Sequence, residues 1–75
     1  MSQIYVRLLD EGTDVWRPVA ATVLTDGTYI LCDTMTVPDG EKWEFPPGSR
    51  VVVEEKVFQG KADAELVAAK LYGGP

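Results

Sequence analysis

The side chains of this sequence that could do chemistry fall into four groups. The first is the loop Asp10, Glu11 and Asp14, with Trp16 and Arg17 directly behind it. Carboxylates beside an aromatic ring suit recognition of a basic or proline-rich peptide, because the ring is a flat platform and the carboxylates read a cation. The plainer reading gives Asp10 and Gly12 to turn geometry, Trp16 to packing at the end of the domain and Arg17 to a nearby carboxylate. The second group is the aromatic set Tyr5, Trp16, Tyr29, Trp43, Phe45 and Phe58. Several of these on one surface would make a contact for a partner or a second copy, since Trp and Tyr concentrate at interface centres. A cage for a methylated cation is the sharper version of that idea. The alternative puts Trp43 and Phe45 in a small core and lays Tyr5 and Tyr29 flat on outer strand faces.

The third group is carboxylates. Glu54 and Glu55 are adjacent on an expected strand, so they project to opposite faces and cannot act as a pair. Asp33, Asp39, Glu41 and Glu44 lie close in sequence and could flank a cleft, where paired carboxylates do acid–base work or hold Mg2+ or Ca2+. No Asp-x-Asp-x-Asp-Gly spacing accompanies them, and a solvated surface is the plainer role. Glu55 is the odd member, because alternation puts it on the face of Val51, Val53 and Val57. It must reach the rim, sit at a bulge that switches faces, or pair with Arg17 or Arg50; the ion pair is the expected solution. The fourth group is Cys32 alone. With no histidine in the chain to generate a thiolate, it is expected as a buried small hydrophobe. Ser2 and Ser49 lack a histidine partner as well, which excludes hydrolase triads. No P-loop or dinucleotide fingerprint occurs. Zero histidines and one cysteine also exclude the common zinc frameworks and an internal disulfide. No cofactor is expected.

The 75 residues make one small domain. A hydrophobic share of 45% and a charged share of 25% mark a folded chain. A domain this short buries only roughly 60–65% of the surface its unfolded chain exposes, so association with a further copy is a natural route to extra stability. Seven basic against twelve acidic residues give a net charge of −5. The basic residues are scattered singly, which disfavours nucleic acid and an anionic membrane surface. No apolar run approaches the length of a bilayer span and no secretory signal is visible, so a cytoplasmic location is expected, in keeping with the lone thiol.

Gly and Pro punctuate the chain at short intervals, which predicts short strands and an all-β domain. Gln3 to Leu9 alternates Ile4, Val6 and Leu8 against Gln3, Tyr5 and Arg7. Trp16 to Leu24 forms a second strand, with Pro18 near its start or at an edge. Asp26-Gly27 predicts a hairpin into a third strand, Tyr29 to Cys32. Glu41 to Phe45 alternates charge with aromatic, so Trp43 and Phe45 share a face, and Pro46-Pro47-Gly48-Ser49 is a turn. Arg50 to Phe58 is the best strand. Lys61 to Tyr72 admits either a helix, on its Ala, Leu, Glu and Lys content, or a loop followed by a closing strand from Leu66 to Tyr72; the strand is favoured because it would pair an exposed edge. Residues 73–75 read as a frayed end. Five to six strands in one domain predict a small, strongly bent antiparallel barrel of the SH3-like kind.

The opening Ile4-Tyr5-Val6-Arg7-Leu8-Leu9-Asp10-Glu11-Gly12-Thr13-Asp14-Val15-Trp16-Arg17-Pro18-Val19, with Trp43-Glu44-Phe45-Pro46-Pro47-Gly48 and the Val-Glu strand that follows, resembles a family of small uncharacterised bacterial proteins. These share a YVxLLDEGTxVWRPV opening and a WEFxPG turn. The resemblance covers most of the chain and is weakest over Thr34–Asp39 and the tail. It implies an SH3-like barrel, a bacterial cytoplasmic protein of one domain, and a closing segment that is a strand; it implies no activity.

These readings favour a non-enzymatic protein-interaction or self-associating module, homo-oligomeric in the second case. Its candidate partner-binding residues are Asp10, Glu11, Asp14, Trp16, Tyr29 and Trp43. The alternatives are a small-barrel enzyme whose active site is shared between subunits, and an acidic inhibitor that mimics nucleic acid.

Overall fold

The computed structural model describes residues 2–73. Gly74 and Pro75 of the expected frayed end lie outside the described residues. Five strands, β1 (Ser2–Arg7), β2 (Trp16–Val23), β3 (Tyr29–Leu31), β4 (Arg50–Val57) and β5 (Ala64–Leu71), close in that order into an SH3-like barrel. Each consecutive pair is antiparallel. The closing pair, β1 with β5, is parallel, whereas the sequence pointed to an antiparallel barrel. The reason is parity: an odd number of alternately directed strands brings the first and last together running the same way.

Alternation builds the core. Ile4, Val6 and Leu8 of β1 and its extension face Val19 and Ala21 of β2, Leu31 of β3, Val51 of β4 and Ala68 of β5, all buried. Trp43 and Phe45 plug one end and share a face, as their spacing requires. Their segment is no sixth strand. It touches the barrel through the Leu8–Trp43 bridge, flanked by Leu9 N–H donating to Lys42 O at 2.6 Å and Glu44 N–H donating to Arg7 O at 2.9 Å. The outer edge of β1 is therefore divided: β5 takes it at Tyr5, and Lys42–Glu44 takes it from Arg7 onward.

Hydrogen-bond parity explains Pro18. Leu8 N–H donates to Val15 O, so even-numbered β1 residues bond to β2 and the Tyr5–Pro18 pair is not bonded. The missing Pro18 N–H would point toward β3, whose bonding to β2 ends with Cys32 N–H donating to Ala20 O. The Asp26-Gly27 hairpin forms, with Gly27 at φ 88°, a conformation that glycine adopts without a Cβ penalty. Asp26 Oδ1 accepts from the Thr28 N–H and hydroxyl, and Arg50 reaches over from β4 to Asp26 Oδ2 at 2.6 Å and Thr28 Oγ1 at 3.0 Å. This network clamps the β2–β3 hairpin to β4.

The Ala-rich tail is a strand, not a helix. Its ladder with β4 runs from Val51–Leu71 to Val57–Ala64 and shifts register between Val52 and Val53, where β5 carries Ala69 as an extra residue. Before the bulge, Val67 and Ala68 alternate to opposite sides of the sheet and both are buried, Ala68 in the main core.

Candidate functional site

The distal half of β4 runs past the barrel. Glu54, Glu55, Lys56 and Val57 are all exposed, and Val57 shows 60% of its surface. Phe58, just beyond the strand, folds back over the outside of the barrel. Its ring lies 5.0 Å from Tyr5 and 5.8 Å from Trp16, the latter edge to face. Tyr5 and Trp16 stand on the outer face because they belong to the residues that alternate with the core positions Ile4 and Val6. Val67, the parallel neighbour of Tyr5, is buried though it stands outside the main core. The outcome is a second, external hydrophobic cluster of Tyr5, Trp16, Phe58 and Val67.

Cations cap this cluster. Lys56 Nζ sits 5.6 Å from the Trp16 ring and 5.8 Å from Phe58, and Lys61 Nζ sits 5.6 Å from the Tyr5 ring with its ammonium 3.4 Å from the phenol oxygen. Two shallow grooves meet at Trp16 and Lys56. The larger, about 420 Å3, is walled by Arg7, Glu44, Glu54 and Glu55 over a floor of Val67–Ala69. The smaller, about 360 Å3, runs between Asp14 and Phe58.

The sequence-derived candidates separate. Trp16 is central to both grooves and Asp14 borders the smaller one, where it also pairs with Arg7 at 3.1 Å. Asp10 pairs with Lys42 at 3.5 Å and adopts φ 61°, a left-handed turn position that aspartate tolerates; its plain turn role is the observed one, while Gly12 needs no positive φ. Glu11 is exposed. Trp43 is buried in the core and its indole N–H donates to Glu41 Oε1 at 3.0 Å. Tyr29 pairs with Val51 and packs against the core rather than lying on an outer face. The six residues thus do not form one surface: Trp43 and Tyr29 belong to the core side.

Two expectations are corrected. Glu55 pairs with neither Arg17 nor Arg50: Arg17 grips Glu41 through both carboxylate oxygens, and Arg50 is held by Asp26. Glu55 needs no cation, because the barrel has ended by that point of β4 and its face is open to water. Arg17 does pair with a carboxylate, and that carboxylate is Glu41. Cys32 is half-exposed, not buried. Its sulfur lies 3.0 Å from Thr34 Oγ1, and hydrogen bonds from the Thr34 hydroxyl and backbone N–H hold the thiol below its usual range.

Of the clustered carboxylates, Glu41 is spent on Arg17 and Trp43, while Glu44 lines the larger groove. Among the described residues no group of three or more Asp, Glu or Cys side chains is placed to hold a metal ion, and no helix is long and apolar enough to cross a membrane. The groove residues that sequence reasoning left out of the site, Phe58, Lys56, Arg7 and Glu44, come from the end of β4, the end of β1 and the bridging segment. Only the three-dimensional return of Phe58 joins them. Compared with protein-family models, curated proteins and solved structures, the chain matches none.

Proposed function

We propose that the chain is a non-enzymatic binding module that grips a protein segment along the grooves beside Trp16. The observation that carries this reading is the placement of Trp16: a half-buried indole on the outer face, shared by two adjoining grooves and backed by Phe58 and Lys56. A rigid aromatic platform of this kind contributes contact area at little entropic cost. Glu44, Glu54 and Glu55 on the wall of the larger groove suit a segment that lays an apolar or proline residue on the indole and directs a basic residue at the carboxylates. The setting is a cytoplasmic one, and the chain joins the small bacterial family that its opening and Trp43–Gly48 turn resemble.

A charge-mimicking inhibitor is supported less well. Asp10, Asp14, Asp26 and Glu41 are each joined to a Lys or Arg, so they offer no continuous anionic surface.

The test is affinity capture from the native host with the unaltered chain, Trp16→Ala and Glu44→Lys, with circular dichroism confirming that each variant is folded. Both folded variants should lose the same captured protein. Retention of that protein by folded Trp16→Ala would overturn the reading.

A further inference from the structure

β3 covers β4 only as far as Val51. Leu31 N–H donates to Ser49 O just before the strand and Tyr29 pairs with Val51, so odd-numbered residues of this strand direct their backbone groups toward β3. Tyr72 N–H donates to Arg50 O, so even-numbered ones serve β5. The extra residue of the bulge lies on β5, which leaves the parity of β4 intact. Beyond Val51, therefore, the N–H and C=O groups of Val53, Glu55 and Val57 point to a side where no strand of the described residues lies. Glu54 to Val57 are also each exposed. This is an open stretch of strand edge in the closed barrel.

We propose that this edge takes a second copy of itself, pairing β4 with β4 antiparallel about a two-fold axis at Glu55. Backbone parity and side-chain charge select this register. Odd residues must face odd residues for their groups to bond, which leaves few alignments. Centring on Glu55 sets Val53 opposite Val57 of the second copy and Glu54 opposite Lys56 of the second copy, each pair occurring twice by symmetry. A shift that centres on Glu54 opposes Glu54 to Glu54, and one that centres on Lys56 opposes Lys56 to Lys56. Only the Glu55 register bonds all the free odd residues, matches both unlike-charge pairs and covers Val57. Its single unfavourable contact is Glu55 against Glu55 on the axis, a like-charge pair that Glu55→Gln removes. The edge borders the Trp16 grooves, which Glu54, Glu55, Lys56 and Val57 also line, but the pairing rests on backbone parity and is read out by self-association rather than by the partner proposed for the grooves.

Sedimentation against concentration, together with amide hydrogen exchange, tests the proposal on the intact chain. Dimer formation should protect the Val53, Glu55 and Val57 amides as concentration rises, and leave the Glu54 and Lys56 amides, already bonded to β5, nearly unchanged. Glu54→Lys should weaken the dimer about tenfold by turning both unlike pairs into like ones, and Glu54→Lys with Lys56→Glu should restore it. Glu55→Gln should tighten it. Glu55→Pro should abolish it, because the lost N–H points out of the fold; where that variant fails to fold, the charge swap remains decisive. A chain that stays monomeric into the millimolar range, or a dimer that the double swap fails to restore, would overturn the proposal.

Discussion

The two halves of β4 live in different surroundings. The first half, Arg50 to Val53, has a strand on each side at Arg50 and Val51, a buried valine at Val51, and Arg50 locked to Asp26 and Thr28. Arg50 also lies 4.0 Å from the Tyr72 ring, which ties the end of β5 to the same clamp. The second half, Glu54 to Val57, has β5 on one side and water on the other. The same strand thus supplies a wall of the barrel and then an exposed arm that carries Lys56 and Phe58 to the outer aromatic cluster. Stability resides in the first half and the proposed binding surfaces in the second, a division common where function needs exposed backbone and side chains.

Core truncation should separate the halves most sharply. Leu31→Ala, at a fully buried side chain beside Val51, should cost about 2–5 kcal/mol in urea unfolding. Val57→Ser on the arm should stay within about 0.5 kcal/mol. Equal losses would erase the distinction.

The next effect concerns Glu41, the hinge between Arg17 and the Trp43 plug. Glu41→Ala leaves the buried indole N–H without its acceptor, so a loss of about 1–3 kcal/mol is expected. Arg17→Ala removes only the partly exposed end of the pair and should cost about 0–1 kcal/mol. The reverse order would show that Glu41 serves Arg17 rather than the core.

Acid sensitivity sharpens the comparison further. Hydrogen bonds from the Thr28 hydroxyl and N–H, then the Arg50 charge, hold the Asp26 carboxyl below the usual aspartate range. A depressed folded-state value means that the ionised form is favoured by folding. Its contribution is complete above the unfolded-state value and disappears as pH falls through the folded one. Asp26→Asn should therefore flatten the acid limb of the stability profile and leave the arm's hydrogen exchange unchanged. The smallest effect is chemical: Thr34→Val should raise the Cys32 thiol and slow its alkylation at neutral pH, read from the pH–rate profile.

Much of the barrel was legible because alternation is a backbone property. Ile4, Val6 and Leu8 face inward as read, Asp26-Gly27 turns the chain, and Trp43 and Phe45 share the core. β5 was ambiguous because Ala64 to Leu71 has good helix formers; pairing with β4 overrides that local preference. Glu55 was misread because a period of two shows which face a residue takes, not where along the strand the barrel stops. Tyr29 was misplaced for a related reason: a three-residue strand carries too little pattern to fix its inner face. Of the site, Trp16 and Asp14 could be named from the sequence, since an aromatic beside a polar loop is a local signal. Lys56 and Phe58 could not be joined to them, because the return of Phe58 onto Tyr5 and Trp16 is set by the curl of the sheet.

Amide exchange at high dilution, where the chain is a monomer, tests the division of β4 most directly. The Val51 amide should be slow, and beyond it Glu54 and Lys56 should exchange slowly while Val53, Glu55 and Val57 exchange fast. Uniformly slow exchange from Val53 to Val57 in the monomer would mean that the edge is covered from within, and would contradict the account.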